Sequence, residues 1–61
     1  MTAAAKSTYL SIRRRLVEEQ RAAISAAAES DETPAEPVIR RIADYERALV
    51  AVELMIDQIR P

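Results

Sequence analysis

The residues with the most distinctive chemistry are three consecutive arginines, Arg13, Arg14 and Arg15. If this segment is helical, consecutive side chains point about 100° apart, so the run does not form one patch. Arg14 and Arg21 share one side of the helix, and Lys6 and Arg13 flank that side. Cationic groups spaced along a helix can neutralise successive phosphates of a nucleic acid. We refer to Lys6, Arg13, Arg14 and Arg21 as the basic stripe.

The same arginines also have a simpler interpretation as solvated or paired surface residues. Arg14 can pair with Glu18 one turn away, and Arg13 can pair with Glu53 if the chain folds back on itself. Such surface pairs are common and contribute little to stability. Nine basic against ten acidic residues give a net charge of −1, which does not favour polyanions. We therefore favour paired arginines and keep nucleic-acid binding by the basic stripe as the alternative.

Catalytic and metal-binding chemistry is restricted by composition. The chain has no Cys and no His, which removes thiol and imidazole nucleophiles, bases and metal ligands, and also disulfides. Glu46 and Glu53 are seven residues apart with Asp57 nearby, a spacing that suits paired acid and base groups but occurs often in charged helices. The Glu-x-x-His pattern of dimetal helix bundles is absent. We predict no enzyme, no cofactor, no metal site and no small-molecule substrate.

The second half of the chain contains a heptad pattern that must form one face of a helix. Its apolar residues are separated by alternating steps of four and three, which is the spacing of a coiled-coil contact seam. The seam consists of Val38, Ile42, Tyr45, Leu49, Val52, Ile56 and Ile59. With no Gly and many Ala, Leu, Arg and Glu, the composition favours helix throughout.

A second apolar stripe lies on a different arc of the same helix, separated from the seam by acidic residues. It consists of Ile39, Ala43, Val50 and Leu54. One neighbouring helix cannot cover both arcs, and each large side chain left in water forgoes roughly 1.5–3 kcal/mol of burial. A chain of 61 residues without disulfide or metal needs another source of stability, which oligomerisation can supply. The second stripe therefore predicts a partner.

The first half of the chain predicts a helix with one broad apolar side. Its seam positions are Tyr9, Ile12, Leu16, Ala23 and Ala27, and Leu10, Val17 and Ile24 flank them at intervals of seven. Gln20 and Arg13 interrupt this side. The stretch 22–28 is mostly Ala, so a neighbouring helix can approach closely there.

Turn and capping residues at 30–37 separate the two helices. Thr33, Pro34 and Glu36 fit a capping box, with Thr33 as N-cap and Pro34 at the first helical position. A rival start takes Pro37 as the first helical residue and Glu36 as the cap. We predict helix one at about 3–29, a turn at 30–33 and helix two at about 34–60.

The ends of the two helices carry further signals. Thr2 or Ser7 can be the N-cap of helix one, and the sequence does not decide between them. Arg60 suits the negative end of the helix two dipole.

A short turn between long helices folds them back antiparallel. The expected facing layers run from Tyr9 with Ile56 to Ala27 with Val38, and large residues face small ones near the turn. In the middle, Gln20 faces Tyr45, and the two polar groups can share a hydrogen bond.

The sequence as a whole predicts one all-α domain over residues 1–61, an antiparallel helical hairpin that dimerises into a four-helix bundle or docks on another helical protein. Its N-terminus lacks the apolar segment of a signal peptide, and no run reaches the length of a membrane span, so we expect a cytoplasmic protein. The predicted function is that of a small adaptor, regulator or assembly subunit acting through apolar helix faces. The predicted protein interface is Leu10, Val17, Ile24, Ile39, Val50, Leu54 and Met55.

Overall fold

The structure is an antiparallel hairpin of two long helices. It is a computed structural model that describes residues 3–59, with side chains from residue 5 onward. Helix α1 spans Ala3–Ala28 and helix α2 spans Glu36–Ile59, and residues 3–59 contain no strand. The helices pack side by side along their lengths in a rod measuring 46 × 14 × 13 Å. The predicted all-α hairpin is confirmed.

Helix α1 ends in a tightened turn. The amide of Glu29 donates to the carbonyl of Ala26 (3.4 Å) and that of Ser30 donates to the carbonyl of Ala27 (3.3 Å), both three residues back. This tighter pattern is usual where an α-helix stops. The hydroxyl of Ser30 then accepts a hydrogen bond from the amide of Glu32 (3.1 Å), which turns the chain.

Helix α2 begins at Glu36, so the predicted capping box at Thr33 is wrong. The carbonyl of Ala35 accepts hydrogen bonds from the amides of Val38 (3.0 Å) and Ile39 (3.2 Å), which makes Ala35 the residue that precedes the first helical one. The rival start, with Glu36 as cap, is also one residue late. Pro37 explains why the helix cannot begin after Thr33. A helix capped by Thr33 would need the amide of residue 37 as the donor of its first hydrogen bond, and proline has none.

The structure excludes one of the two candidate N-caps of α1. Ser7 lies in the second turn of α1, so it is not the N-cap. Thr2, the other candidate, and Arg60 lie outside the described residues.

The contact between the helices is centred on the predicted seam of α2. Leu49 and Ile56 are buried, with 5% and 6% of their surface exposed, and they are the buried residues of the described part of the chain. The other seam residues of α2 are half-buried, except Val38, which is exposed. Beside Val38 the small side chains of α1 leave an open cleft of about 480 Å³. The alanine stretch therefore packs less fully than predicted.

Gln20 fixes the register of the hairpin. Its side-chain amide donates to the carbonyl of Ile42 (3.5 Å) and to a carboxylate oxygen of Glu46 (3.2 Å), so it lies level with residues 42–46 as predicted. The predicted hydrogen bond from Gln20 to Tyr45 is wrong. The hydroxyl of Tyr45 instead accepts from Nε and Nη2 of Arg41 at 3.3 and 3.2 Å, because Arg41 lies one turn back on the same helix.

Candidate interaction surfaces

The second apolar stripe of α2 remains exposed in the hairpin. Among residues 5–59, Leu54 and Val50 are the most exposed large apolar residues, at 57% and 54% of their surface, and Ile39 follows at 49%. On α1, Leu10 and Ile24 are also exposed, and Val17 is half-buried. Helix α1 covers the seam of α2 and leaves these residues in water.

The exposed apolar residues of the two helices lie on the same side of the hairpin. Each of Leu10, Val17 and Ile24 directly follows a seam residue of α1, and Ile39 and Val50 directly follow seam residues of α2. The two helices have the same handedness and run in opposite directions. Residues that follow the seam by one position therefore point to the same side of the pair. The hydrogen bond from Gln20 to Glu46, which directly follows Tyr45, crosses between the helices on this side.

Together these side chains form one surface, which we call the apolar face. It consists of Leu10, Val17 and Ile24 of α1 and Ile39, Val50 and Leu54 of α2. Leu54 follows the seam residue Val52 by two positions, about 200° round the helix, so it points away from α1 and forms the outer edge of this face. Scattered apolar residues are normal on a protein surface, but several large ones on one side of a chain this small are typical of a contact site.

Met55, which we predicted for the same interface, does not lie on the apolar face. It is half-buried and directly precedes the buried Ile56, so it points to the opposite side of the hairpin. Ile12 also points to that side and is exposed, although we predicted it as a seam residue. Its exposure was missed because its position at the edge of the α1 arc allows it to turn away from α2.

The basic stripe lies along the edge of the apolar face. Arg13, Arg14 and Arg21 line a groove that runs along α1, and Leu10 and Val17 line the same groove. The three arginines are exposed, whereas Lys6 is half-buried. Protein binding through the apolar residues and nucleic-acid binding by the basic stripe were predicted as alternative functions. In the structure the two surfaces lie side by side.

The ion pairs expected for these arginines do not form. Arg13, Arg14 and Arg21 make no ion pair with another side chain of residues 5–59, so the proposed partners Glu53 and Glu18 are not engaged by them. The pairs that do form lie within α2, between Arg40 and Glu36 (2.8 Å) and between Arg47 and Asp44 (4.0 Å). In both pairs the acidic residue precedes the arginine on the same helix, which is the favoured order, whereas Arg14 precedes Glu18 and Arg13 would have to meet Glu53 across the two helices.

The opposite side of the hairpin carries one polar cluster. The guanidinium of Arg41 lies 5.8 Å from the centroid of the Tyr45 ring, a cation–π arrangement. Its hydrogen bonds to the Tyr45 hydroxyl raise the pKa of Arg41, and the charge of Glu19 on α1 adds to this effect. Arg41 therefore stays cationic.

The carboxylates of α2 do not converge on a site. Glu46 accepts a hydrogen bond from Gln20, and Glu53 is exposed. Within residues 3–59 no group of three Asp or Glu side chains could hold a metal ion. Over the same residues, neither helix is long and apolar enough to cross a bilayer.

Comparisons with protein-family models, with curated proteins and with solved structures find no match for the chain.

Proposed function

We propose that this protein is a non-enzymatic interaction module that acts through its apolar face. The observation that carries the proposal is the exposure of Val50 and Ile39 on the same side of the hairpin as Leu10 and Ile24, with the exposed Leu54 at the outer edge of α2. These side chains keep between 36% and 57% of their surface exposed in the hairpin, and covering them with a second surface releases water from apolar area. A helical hairpin with an apolar side is suited to docking against other helices. An adaptor, a regulator or an assembly subunit can use such a surface.

Site-specific photo-crosslinking tests this proposal. A benzophenone amino acid at position 50 reports on what touches the apolar face, and the same group at Ala22 is the matched control, because Ala22 is exposed on the far side of α1. We expect a covalent adduct of defined mass from position 50, in the purified chain or in its host cell, and none from position 22. No adduct from position 50 in either setting would refute the proposal.

A second candidate function is binding of nucleic acid by the basic stripe. The observation in its favour is that Arg13, Arg14 and Arg21 line one groove and are not neutralised by acidic side chains of the described chain. Unpaired guanidinium groups along a helix are available to phosphates. Glu18 lies in the same groove and opposes this function.

Salt dependence distinguishes this candidate from the first. Binding to mixed RNA and DNA should weaken with salt, with a log–log slope of about −0.7 to −0.9 for each phosphate contacted. The double change Arg14→Ala and Arg21→Ala should then make the slope less steep by the amount expected for about two phosphate contacts. Binding that does not depend on salt, or no binding at all, would eliminate this candidate and leave the protein interaction module untouched.

A further inference from the structure

We propose that a second copy of the chain covers the apolar face, with α1 of each copy packed on α2 of the other. This inference rests on the proposed function and identifies the partner of the same surface. Three observations carry it, namely the excess exposed area of the hairpin, the matching heights of its two apolar rows and the separation of its charges between the helices.

The hairpin exposes more surface than a folded monomer of its mass. Its accessible surface is 4910 Å² for a mass of 6.8 kDa. Folded monomers of that mass expose about 3,950 Å². The excess of roughly 950 Å² is larger than the approximately 800 Å² that each partner contributes to a standard protein interface. A second copy removes enough surface to bring the chain to an ordinary level of burial.

The two rows of the apolar face lie at matching heights. Gln20 is level with residues 42–46. Since both helices rise 1.5 Å per residue in opposite directions, Leu10 lies level with residues 52–56 and Ile24 with residues 38–42. Leu10 is thus level with Leu54, and Ile24 is level with Ile39. By the same count Val17 is level with residues 45–49, whose midpoint lies three residues, or about 4.5 Å, from Val50, so these two side chains are staggered by less than one helical turn.

This match defines a two-fold arrangement. Rotation by 180° about an axis parallel to the helices moves α1 of one copy over α2 of the other without changing its height. Leu10 and Ile24 of each copy then lie level with Leu54 and Ile39 of its partner, Val17 lies within one helical turn of Val50, and each contact occurs twice. Such a closed two-fold interface leaves neither apolar row exposed and does not propagate into fibres.

Charge selects this arrangement over the one in which α1 packs on α1. The residues that border the apolar face are mainly basic on α1, where Glu18 is the exception, and mainly acidic on α2, where Arg47 lies beside Val50. The basic set is Lys6, Arg13, Arg14 and Arg21, and the acidic set is Glu46, Glu53 and Asp57. Packing α1 on α2 makes the sign alternate around the four helices, so the arginines left unpaired in the single hairpin face carboxylates. Packing α1 on α1 brings like charges together, which disfavours that association.

Disulfide trapping tests the arrangement directly, because no described residue is a cysteine that could interfere. A Val17→Cys chain and a ¹⁵N-labelled Val50→Cys chain are unfolded together, refolded and oxidised in a glutathione buffer, and the covalent dimers are sorted by mass. We expect the mixed 17–50 disulfide to exceed the one-half share that random pairing gives. A control mixture of Ala22→Cys with Val50→Cys should stay at or below that share.

Three outcomes would overturn the inference. A dominant 17–17 disulfide would mean that α1 packs on α1, and a mixed share at the random level would mean that the copies meet on another face. Sedimentation equilibrium showing a folded monomer at all concentrations would exclude the second copy. In that last case a crosslink from position 50 to a different protein would still support the proposed function. The absence of any such crosslink would refute both.

Discussion

Replacing Leu54 by Asp separates association from folding. Leu54 is 57% exposed in the single hairpin. Full burial of a leucine side chain is worth about 1.5–3 kcal/mol, so the part still exposed can contribute about 0.9–1.7 kcal/mol when a partner covers it. A two-fold dimer contains the contact twice, which gives about 1.7–3.4 kcal/mol. At about 1.4 kcal/mol per tenfold change, the dimer Kd should rise roughly 15- to 300-fold.

This range is a lower limit, since aspartate also places a carboxylate in the contact. Desolvating an uncompensated charge weakens association further. The single hairpin should tolerate the change, because a residue more than half exposed loses little more than helix propensity, about 0.5–0.7 kcal/mol. The assay is sedimentation equilibrium across a wide range of concentrations, with helicity followed by circular dichroism at each one.

Ala22→Asp is the matched control. Ala22 is exposed on the far side of α1, so this variant carries the same new charge and a similar propensity cost away from the apolar face. We expect its dimer Kd to stay close to that of the unchanged chain. If Leu54→Asp and Ala22→Asp shift the Kd equally, the apolar face is not the surface on which the chains meet, and the assignment of Leu54 to the contact is wrong.

Three further changes test the hairpin itself. Leu49→Ala removes a side chain that is only 5% exposed, so it should cost about 2–5 kcal/mol in urea unfolding and abolish most helicity, unlike Leu54→Asp. Pro37→Ala restores the missing amide, so helical Cα chemical shifts should extend back to Pro34, and unchanged shifts there would contradict the explanation given for the start of α2. Gln20→Leu replaces a polar group on the seam by an apolar one, and its free energy of unfolding should rise by about 1 kcal/mol.

Periodicity predicted the part of the fold that depends on helix geometry alone. The alternating spacing placed Leu49 and Ile56 on the contact seam, and both are buried. It also placed Val50 and Leu54 on an arc that a single neighbouring helix cannot reach, and both are exposed. These outcomes follow from 3.6 residues per turn and one partner helix, so they need no knowledge of side-chain conformation.

The predictions were wrong where two local sequence signals conflict, or where the interaction free energies that decide between partners are small. At the start of α2 the capping residues around Thr33 outweighed the missing amide of Pro37 in the prediction, although counting four residues onward from the cap would have revealed the conflict. The partner of Tyr45 was missed because Arg41 on the same helix needs less ordering than Gln20 on the other. Surface ion pairs are worth about 0–1 kcal/mol, too little for a sequence to specify which arginine pairs.

The charges of the two helices favour the same partner as the apolar face. Arg13 and Arg14 are exposed near the middle of α1, and Glu53 is exposed about two turns before the end of α2. Antiparallel folding brings these groups to similar heights, yet within one hairpin they do not pair. In the proposed dimer, α1 packs on α2 of the other copy, which places the arginines beside carboxylates. The same contact would therefore bury Val50 and Leu54 and bring opposite charges together.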